Sequence, residues 1–510
     1  MIKGISTYYD SENGGRALLL FLLFGLAIYQ FVNAGFSAFA LICASPLLIL
    51  AAYVAFKYRM AAFWALFFIN YFVQWFGKNN WLPSGVPMSM YNEMLEILLL
   101  GIAIVDARRT PHFERTANLM LYSLLIWCGF VTLEVLNDSC GLGINFGTWY
   151  QGARMMAFQV LYAFLVFLIY VDNAKVLVQY IFVWAFCSLF TVFWTWKQVK
   201  LGMTPAESAW LNNVGYTTHI LQGGTLIRYF STHNDAANFG ICIASTAVAY
   251  FIFAITTKIK KHRILFLITG IGSTWAMFQS GTRTAMACMI LGIIAYVFLS
   301  KSAKIATTVT IIFGFLFFIL AFTNIGQGNQ QIRRMRTVFD RSDASANVRT
   351  INQEAIRKYL ADAPWGMGLG LSASNTPANN KFYKLSGTPP DSEYVFIWIH
   401  TGVIGITVFI ITMLLMLAGA CWIVLFRIKS PSLRGIGAGF CCAFVSMQLG
   451  GYGNQVLMQF PNCLLFYGGL SLVYGLPFIE KEWVEYEAKE LAIQEEKARL
   501  KLEKKKASRV

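Results

Sequence analysis

The stretch NIGQGNQQIRRMRTVFDRSDASANVRTINQEAIRKYLADAPWGMGLGLSASNTPANNKFYKLSGTPPDSEYVFIWIHTGVIG (residues 324–405) decides how this chain is read. It is one long polar interval in a sequence that otherwise keeps returning to hydrocarbon. An apolar run ends at Phe322-Thr323-Asn324, and Arg333, Arg334, Arg336 and Arg341 follow. Helical spacing then places Val348, Ile351, Ala355 and Tyr359 in one stripe, widened by Ile356 and Leu360, with Arg349, Gln353 and Arg357 beside it. This predicts an amphipathic helix over a membrane mouth, with Pro364 ending it. Pro364-Trp-Gly-Met-Gly-Leu-Gly370 has glycines spaced somewhat like a dinucleotide loop, but no strand precedes it, and that reading is discounted. The interval closes through Pro390-Asp391-Ser392-Glu393-Tyr394 and the turn Gly402-Val-Ile-Gly405.

The surrounding sequence is that of a membrane protein. Of 510 residues, 57% are hydrophobic and 13% charged, against about 25% charged in soluble domains. A hydrocarbon core about 30 Å thick needs roughly 17–25 apolar residues per helix. On that measure fourteen spans lie near 16–34, 36–56, 60–77, 90–106, 116–136, 154–171, 174–196, 237–257, 263–279, 283–300, 305–323, 394–426, 434–450 and 460–478. The fourth is short and carries Glu93 and Glu96; the twelfth is too long for one straight span, and its first turns, up to Gly402, read as a re-entrant or interfacial piece. The expected fold is an all-α polytopic membrane protein with about 12–14 transmembrane helices and one large periplasmic loop between late spans. Residues 1–479 form the membrane domain, 324–393 the inserted loop, and 480–510 a charged, solvated helical tail.

The net charge of +16 does not point to nucleic acid, because the cations sit in short clusters between apolar runs. Alternate connections are basic: Lys57 and Arg59; Arg108, Arg109 and Arg115; Lys175; Lys258 to Arg263; Lys301 and Lys304; Arg427 to Arg434. The positive-inside rule puts those connections and both termini in the cytoplasm, and the long polar interval outside. Eight of the ten cysteines named by the apolar runs, from Cys43 to Cys442, read as packing residues rather than a disulfide framework.

Arginines on the outer face run against that charge bias and need a reason. Arg228 precedes span eight, Arg283 opens span ten after Gln279-Ser-Gly-Thr, and Arg154 starts span six. Guanidinium groups bind phosphate oxygens in a bidentate manner and stay charged when buried, so several together suit a lipid pyrophosphate. A snorkelling interfacial arginine is the plainer account of any one alone. Asp391 and Glu393 at the top of span twelve supply carboxylates, Asp391 as general base or as helix cap. His233 and Asp235 are rival bases, and His219 reads as an ordinary loop residue.

The order of these features resembles the bacterial O-antigen ligase and O-antigen polymerase superfamily, from about Arg228 to Gly405. Arg228 with His233-Asn234-Asp235, the turn Ser280-Gly-Thr-Arg283, Arg349 opening a helix, and Pro364 to Gly370 all have counterparts there. The ligase pattern reads His, a small polar residue, nine residues, then Gly-x-x-Gly. Here Asp391-Ser392 precedes Gly402-Val-Ile-Gly405 at that spacing, with Asp in place of His. The resemblance implies glycan transfer from a polyprenyl-pyrophosphate-linked donor to a glycan acceptor, at the periplasmic face of the bacterial cytoplasmic membrane, among other polysaccharide-assembly proteins. It implies catalytic roles for Asp391, Arg283 and Arg228, and substrate contacts for Arg349, Arg154, Glu393, His233, Asp235 and Arg357. Neither a metal nor a nucleotide cofactor is implied. The His-to-Asp change tilts the reading towards polymerase; a ligase or protein O-oligosaccharyltransferase is the alternative, and a transporter or flippase a remote one.

Overall fold

A computed structural model describes residues 49–82, 88–106, 112–221, 226–325, 330–336 and 344–507, with a few isolated positions besides. The chain divides into two compact units, Met1–Trp64 and Ala65–Val510. The predicted spans near 16–34 and 36–56 fall largely outside the described residues, and within the first unit residues 49–57 are helical.

The protein is an all-α polytopic membrane protein. Its helices are α1 Arg59–Lys78, α2 Met88–Val105, α3 Leu119–Leu133, α4 Phe146–Tyr170, α5 Ala174–Lys200, α6 Pro205–Asn213, α7 Ala236–Thr256, α8 Lys260–Gln279, α9 Arg283–Leu299, α10 Ala303–Phe322, α11 Gln330–Arg336, α12 Ala344–Tyr359, α13 Glu393–Trp422, α14 Pro431–Gly453 and α15 Gly468–Ala507. A two-strand hairpin, β1 Ile220–Leu221 against β2 Leu226–Ile227, interrupts them. Among the described residues, eight helices are long and apolar enough to cross a membrane. The helices α2, α8, α9 and α10 coincide with four further predicted spans.

Helix starts follow cap chemistry. Asn118, Asn145, Asn173 and Asp235 each accept backbone N–H bonds from the first turn of α3, α4, α5 and α7. Thr204 and Glu207 form a reciprocal capping box on α6. The buried centre is made by α7, in which even small residues such as Ala244 and Ala247 are fully enclosed, packed against α8, α9 and α14.

Two expectations are modified. Only part of the predicted stripe on α12 packs: Ile356 and Leu360, which widened it, are buried, whereas Ile351 is 65% exposed and Tyr359 36%. Ile356 and Leu360 join Ala363, Met367, Phe382, Leu385, Ile399 and Cys140 in an apolar cluster that anchors the long polar interval. The tail, expected to be solvated, is instead docked as far as Gln494. Glu480 Oε1 accepts from Lys429 N and Ser430 N, Glu482 accepts from Ala174 N, and Gln494 from Lys260 N. Glu487 and Glu490 pair with Lys258 and Lys261 at 3.2 and 2.8 Å. The tail therefore caps helix starts of the basic connections and neutralises part of their charge.

The long span breaks where its sequence suggested. Gly402 has φ 66° and ψ −169° inside α13, a conformation essentially reserved for glycine. The glycine loop is spliced into that break: Met367 N donates to Ile399 O, Gly368 N to His400 O, and Ile404 N to Pro364 O. A side chain on Gly402 would overlap Pro364 O, and one on Gly370 would overlap Thr148 O in α4.

Gly402→Ala is expected to cost about 3 kcal/mol or more, because it adds a clash with backbone to a disallowed conformation. A lowered thermal midpoint in detergent checks this. Glu480→Ala, which strips acceptors from two N–H groups at the start of α14, is expected to cost about 1–2 kcal/mol in the same assay.

Candidate functional site

The site gathers at one end of the bundle, where the starts of α7 and α9 meet the ends of α8 and α14. Gly240 lets the Ser280–Thr282 turn lie directly on α7, since a methyl there would strike Ser280 Oγ. Thr282 Oγ1 then donates to Ala236 O at 2.7 Å, locking the turn to the start of α7.

Arg228 leaves β2 and reaches across this turn. Its Nε donates to Ser280 O (3.2 Å), one terminal nitrogen to Thr218 O (2.8 Å) and the other to Thr282 Oγ1 (2.9 Å). Arg334 of α11 comes down on the same turn, with Nε 2.7 Å from Gly281 O. Arg283 follows it in sequence. Burial, the nearby Arg334 and Arg283 charges, and only partial relief from Asp235 push the Arg228 pKa down to about 10. Arg228 thus stays charged near neutral pH, within an excess of positive charge that favours an anion. Three of its five N–H donors are spent on protein oxygens, so it also sets the geometry of the turn that presents Arg283.

The other half of the site is organised by the end of α14. Its last carbonyls lack intrahelical partners, and two polar groups from the external interval satisfy them. Ser392 Oγ donates to Gly451 O (3.1 Å) and Arg349 to Gly453 O (2.7 Å). Asn454 Nδ2 lies 3.4 Å from Thr284 Oγ1, which joins this end to the first turn of α9. One turn along α12 from Arg349, Asn352 Nδ2 lies 3.3 Å from Asp391 Oδ2. Asp391 itself has φ 54°, a left-handed conformation that Asp tolerates better than most residues but at some cost. Its carboxylate is half-buried at the lip of α13.

The remaining predicted residues are placed as follows. Glu393 is buried and accepts from Leu457 N at 3.0 Å, so it holds the segment after α14. Asn238 ties that same segment to α7, donating to Gln459 Oε1 and Phe460 O. Asp235 caps α7 through Oδ1. His233 is fully enclosed and burial pushes its pKa down to about 3, which makes it a neutral packing residue out of reach of a ligand. His219 is likewise buried, and its Nε2 accepts from Ala236 N. Arg154 is removed from the arginine group by its partners: it pairs with Glu93 at 2.9 Å and donates to Ser89 Oγ at 2.8 Å. The Arg357 side chain is exposed on the outer face of α12. Arg228 and Arg334 at the turn before Arg283, and Arg349 and the Asn352–Asp391 pair beside the end of α14, are therefore brought to the same end of the bundle, Arg334 and Asn352 being additional members. Arg334 was visible in the sequence only as one of a run of cations, and Asn352 carried no signal.

Residues 264–410 match the family described as O-antigen ligase. The match runs from α8 through the long polar interval to beyond the break in α13, the segment that carries Arg283, Arg334, Arg349 and Asp391. The match takes in well under half of the chain and supports the O-antigen ligase and polymerase superfamily. No curated protein matches it. The superfamily consists of glycosyltransferase-like membrane enzymes, which implies lipid-linked glycan substrates and a membrane setting. In superfamily terms, the cationic turn after α8 and the acidic lip of α13 are both parts of the matched region.

Inorganic pyrophosphate is expected to raise the thermal midpoint of the purified protein, through preferential binding to the folded state. Arg334→Gln should at least halve that increment, and added sodium chloride should shrink it. Equal increments in both proteins would separate Arg334 from any anion site.

Proposed function

We propose that the protein is a polysaccharide polymerase of the O-antigen type. It transfers a glycan from polyprenyl pyrophosphate to a sugar hydroxyl of a second lipid-linked repeat unit, on the periplasmic side of the cytoplasmic membrane. The observation that carries this reading is the meeting of Arg228, Arg283 and Arg334 at one turn, with Arg349 and Asp391 across the end of α14.

Pyrophosphate is a good leaving group, so the demand on the protein is charge stabilisation and positioning more than strong acid catalysis. Arg228, Arg283 and Arg334 hold the pyrophosphate as negative charge develops on it. Asp391 takes the proton from the acceptor hydroxyl as that oxygen attacks the anomeric carbon from the face opposite the leaving group, inverting the centre. Asn352 orients the Asp391 carboxylate. Arg349 fixes α12 over the mouth, beside the acceptor. Arg154 belongs to the Glu93 ion pair, and its place in this scheme is to support α4.

Asp at position 391, where the ligase pattern has His, favours polymerase over ligase. A ligase or protein O-oligosaccharyltransferase uses the same donor chemistry on a different acceptor. Cells whose own copy is replaced by Arg228→Ala or Arg283→Ala should lose long-chain polysaccharide while the protein inserts at normal levels. Asp391→Asn should slow transfer by about 100-fold or more. Normal chain length in any of these cells counts against the scheme, and single repeat units attached to lipid or protein would mark the sister reactions.

A further inference from the structure

Outside the arginine mouth, a recess of about 270 Å³ opens between the connection from α3 to α4 and the segment that follows the glycine loop. Its polar lining includes Glu134, Asn137, Asp138, Asn145 and Asn375, with Trp149 supplying an indole wall; among the described residues no lysine or arginine lines it. Glu134 is 3% exposed. Its Oε2 accepts from Asn137 Nδ2 at 2.7 Å, but its Oε1 is buried with no hydrogen-bond partner. A buried carboxylate oxygen without a donor is costly, and Glu134 stands in the wall of the recess. Around it the donors and acceptors are already oriented by local structure. Asp138 Oδ1 is held by Gly143 N and Asn145 Oδ1 by Thr148 N. Asn375 is fixed through Ser372 N and Gly370 O.

Two carboxylates without a cation repel pyrophosphate, so this recess does not duplicate the arginine mouth. A sugar ring presents what the lining lacks: hydroxyl donors for the Glu134 and Asp138 oxygens, hydroxyl acceptors for the asparagine amides, and a C–H face to lie on an indole. The recess is also physically coupled to the mouth. Gly368 and Leu369 form part of its wall and belong to the loop spliced into the α13 break, and Asn137 Nδ2 donates to Trp365 O of that loop at 2.7 Å.

We propose that this recess is a glycan subsite that holds a sugar residue of the acceptor, removed from the hydroxyl that reacts. The proposal rests on the reading of the protein as a glycan transferase and adds where the acceptor chain is held. Asp138 and Asn145 are both exposed, so changing them leaves the apolar core intact and removes, of the structure, the Asn145 cap on α4.

The test uses the full-length protein purified in detergent. The probe is the oligosaccharide fraction released by mild acid from the surface polysaccharide of the cell that makes the protein. Binding is read by saturation-transfer-difference NMR, alongside transfer kinetics with the lipid-linked substrate. Wild type should transfer saturation to the sugar, and Asp138→Asn combined with Asn145→Ala should weaken binding about tenfold. The same change should raise the acceptor KM and leave kcat near wild type, while Arg228→Ala keeps the sugar and loses transfer. Absence of sugar binding in wild type overturns the subsite, as does binding untouched by the double variant. Full activity of Arg228→Ala, together with sugar binding lost in the double variant, would sink the transferase mechanism and leave the subsite standing.

Discussion

A helix end leaves backbone groups without partners, and inside a bilayer water is not available to take them. The functional end of this protein is built around three such places. The last carbonyls of α14 are met by Ser392 and Arg349. The break at Gly402 is met by the Pro364–Gly370 backbone. The turn between α8 and α9 offers its carbonyls to Arg228 and Arg334. In each case the group that satisfies the backbone also carries charge to the mouth, or supports the segment that does. Structure and electrostatics therefore share the same side chains.

This sharing explains why the arginines tolerate one another. Like charges brought together in a partly buried setting are costly, and the cost is offset where each guanidinium donates to oriented carbonyls rather than to water. Asp235 contributes opposite charge from the cap of α7. What remains is a positive excess fixed in place before any ligand arrives, the arrangement that gives electrostatic stabilisation without reorganisation. At the opposite end of the bundle the balance is reversed: the tail glutamates meet the lysines of the basic connections, and α15 holds helix starts together.

Membrane character and the helical spans follow from composition and spacing alone. The break at Gly402 was also readable, because the apolar run from 394 to 426 is longer than a straight span and has a glycine pair inside it. The stripe of α12 packs only through the two residues that widened it, Ile356 and Leu360. Period alone does not tell which side of a helix finds a partner, and the partner surface, from Cys140 to Ile399, comes from distant parts of the chain. The tail looked solvated because charged helices usually are; its acceptors happen to meet free N–H groups at other helix starts.

The sequence by itself determined that this is a polytopic helical membrane protein with one long polar interval late in the chain, since hydrophobic length is a local property that needs no partner. Tertiary structure alone decided which arginines act together. Arg154 and Arg228 look alike in sequence, yet one is held by Glu93 within the bundle and the other faces Arg334 and Asp235 at its mouth. It also decided that His233 is sealed in the core while Asp391 stands at the lip. The physical reason is that burial and the nearest opposite charge fix what an ionisable group can do, and both are set by residues far away along the chain.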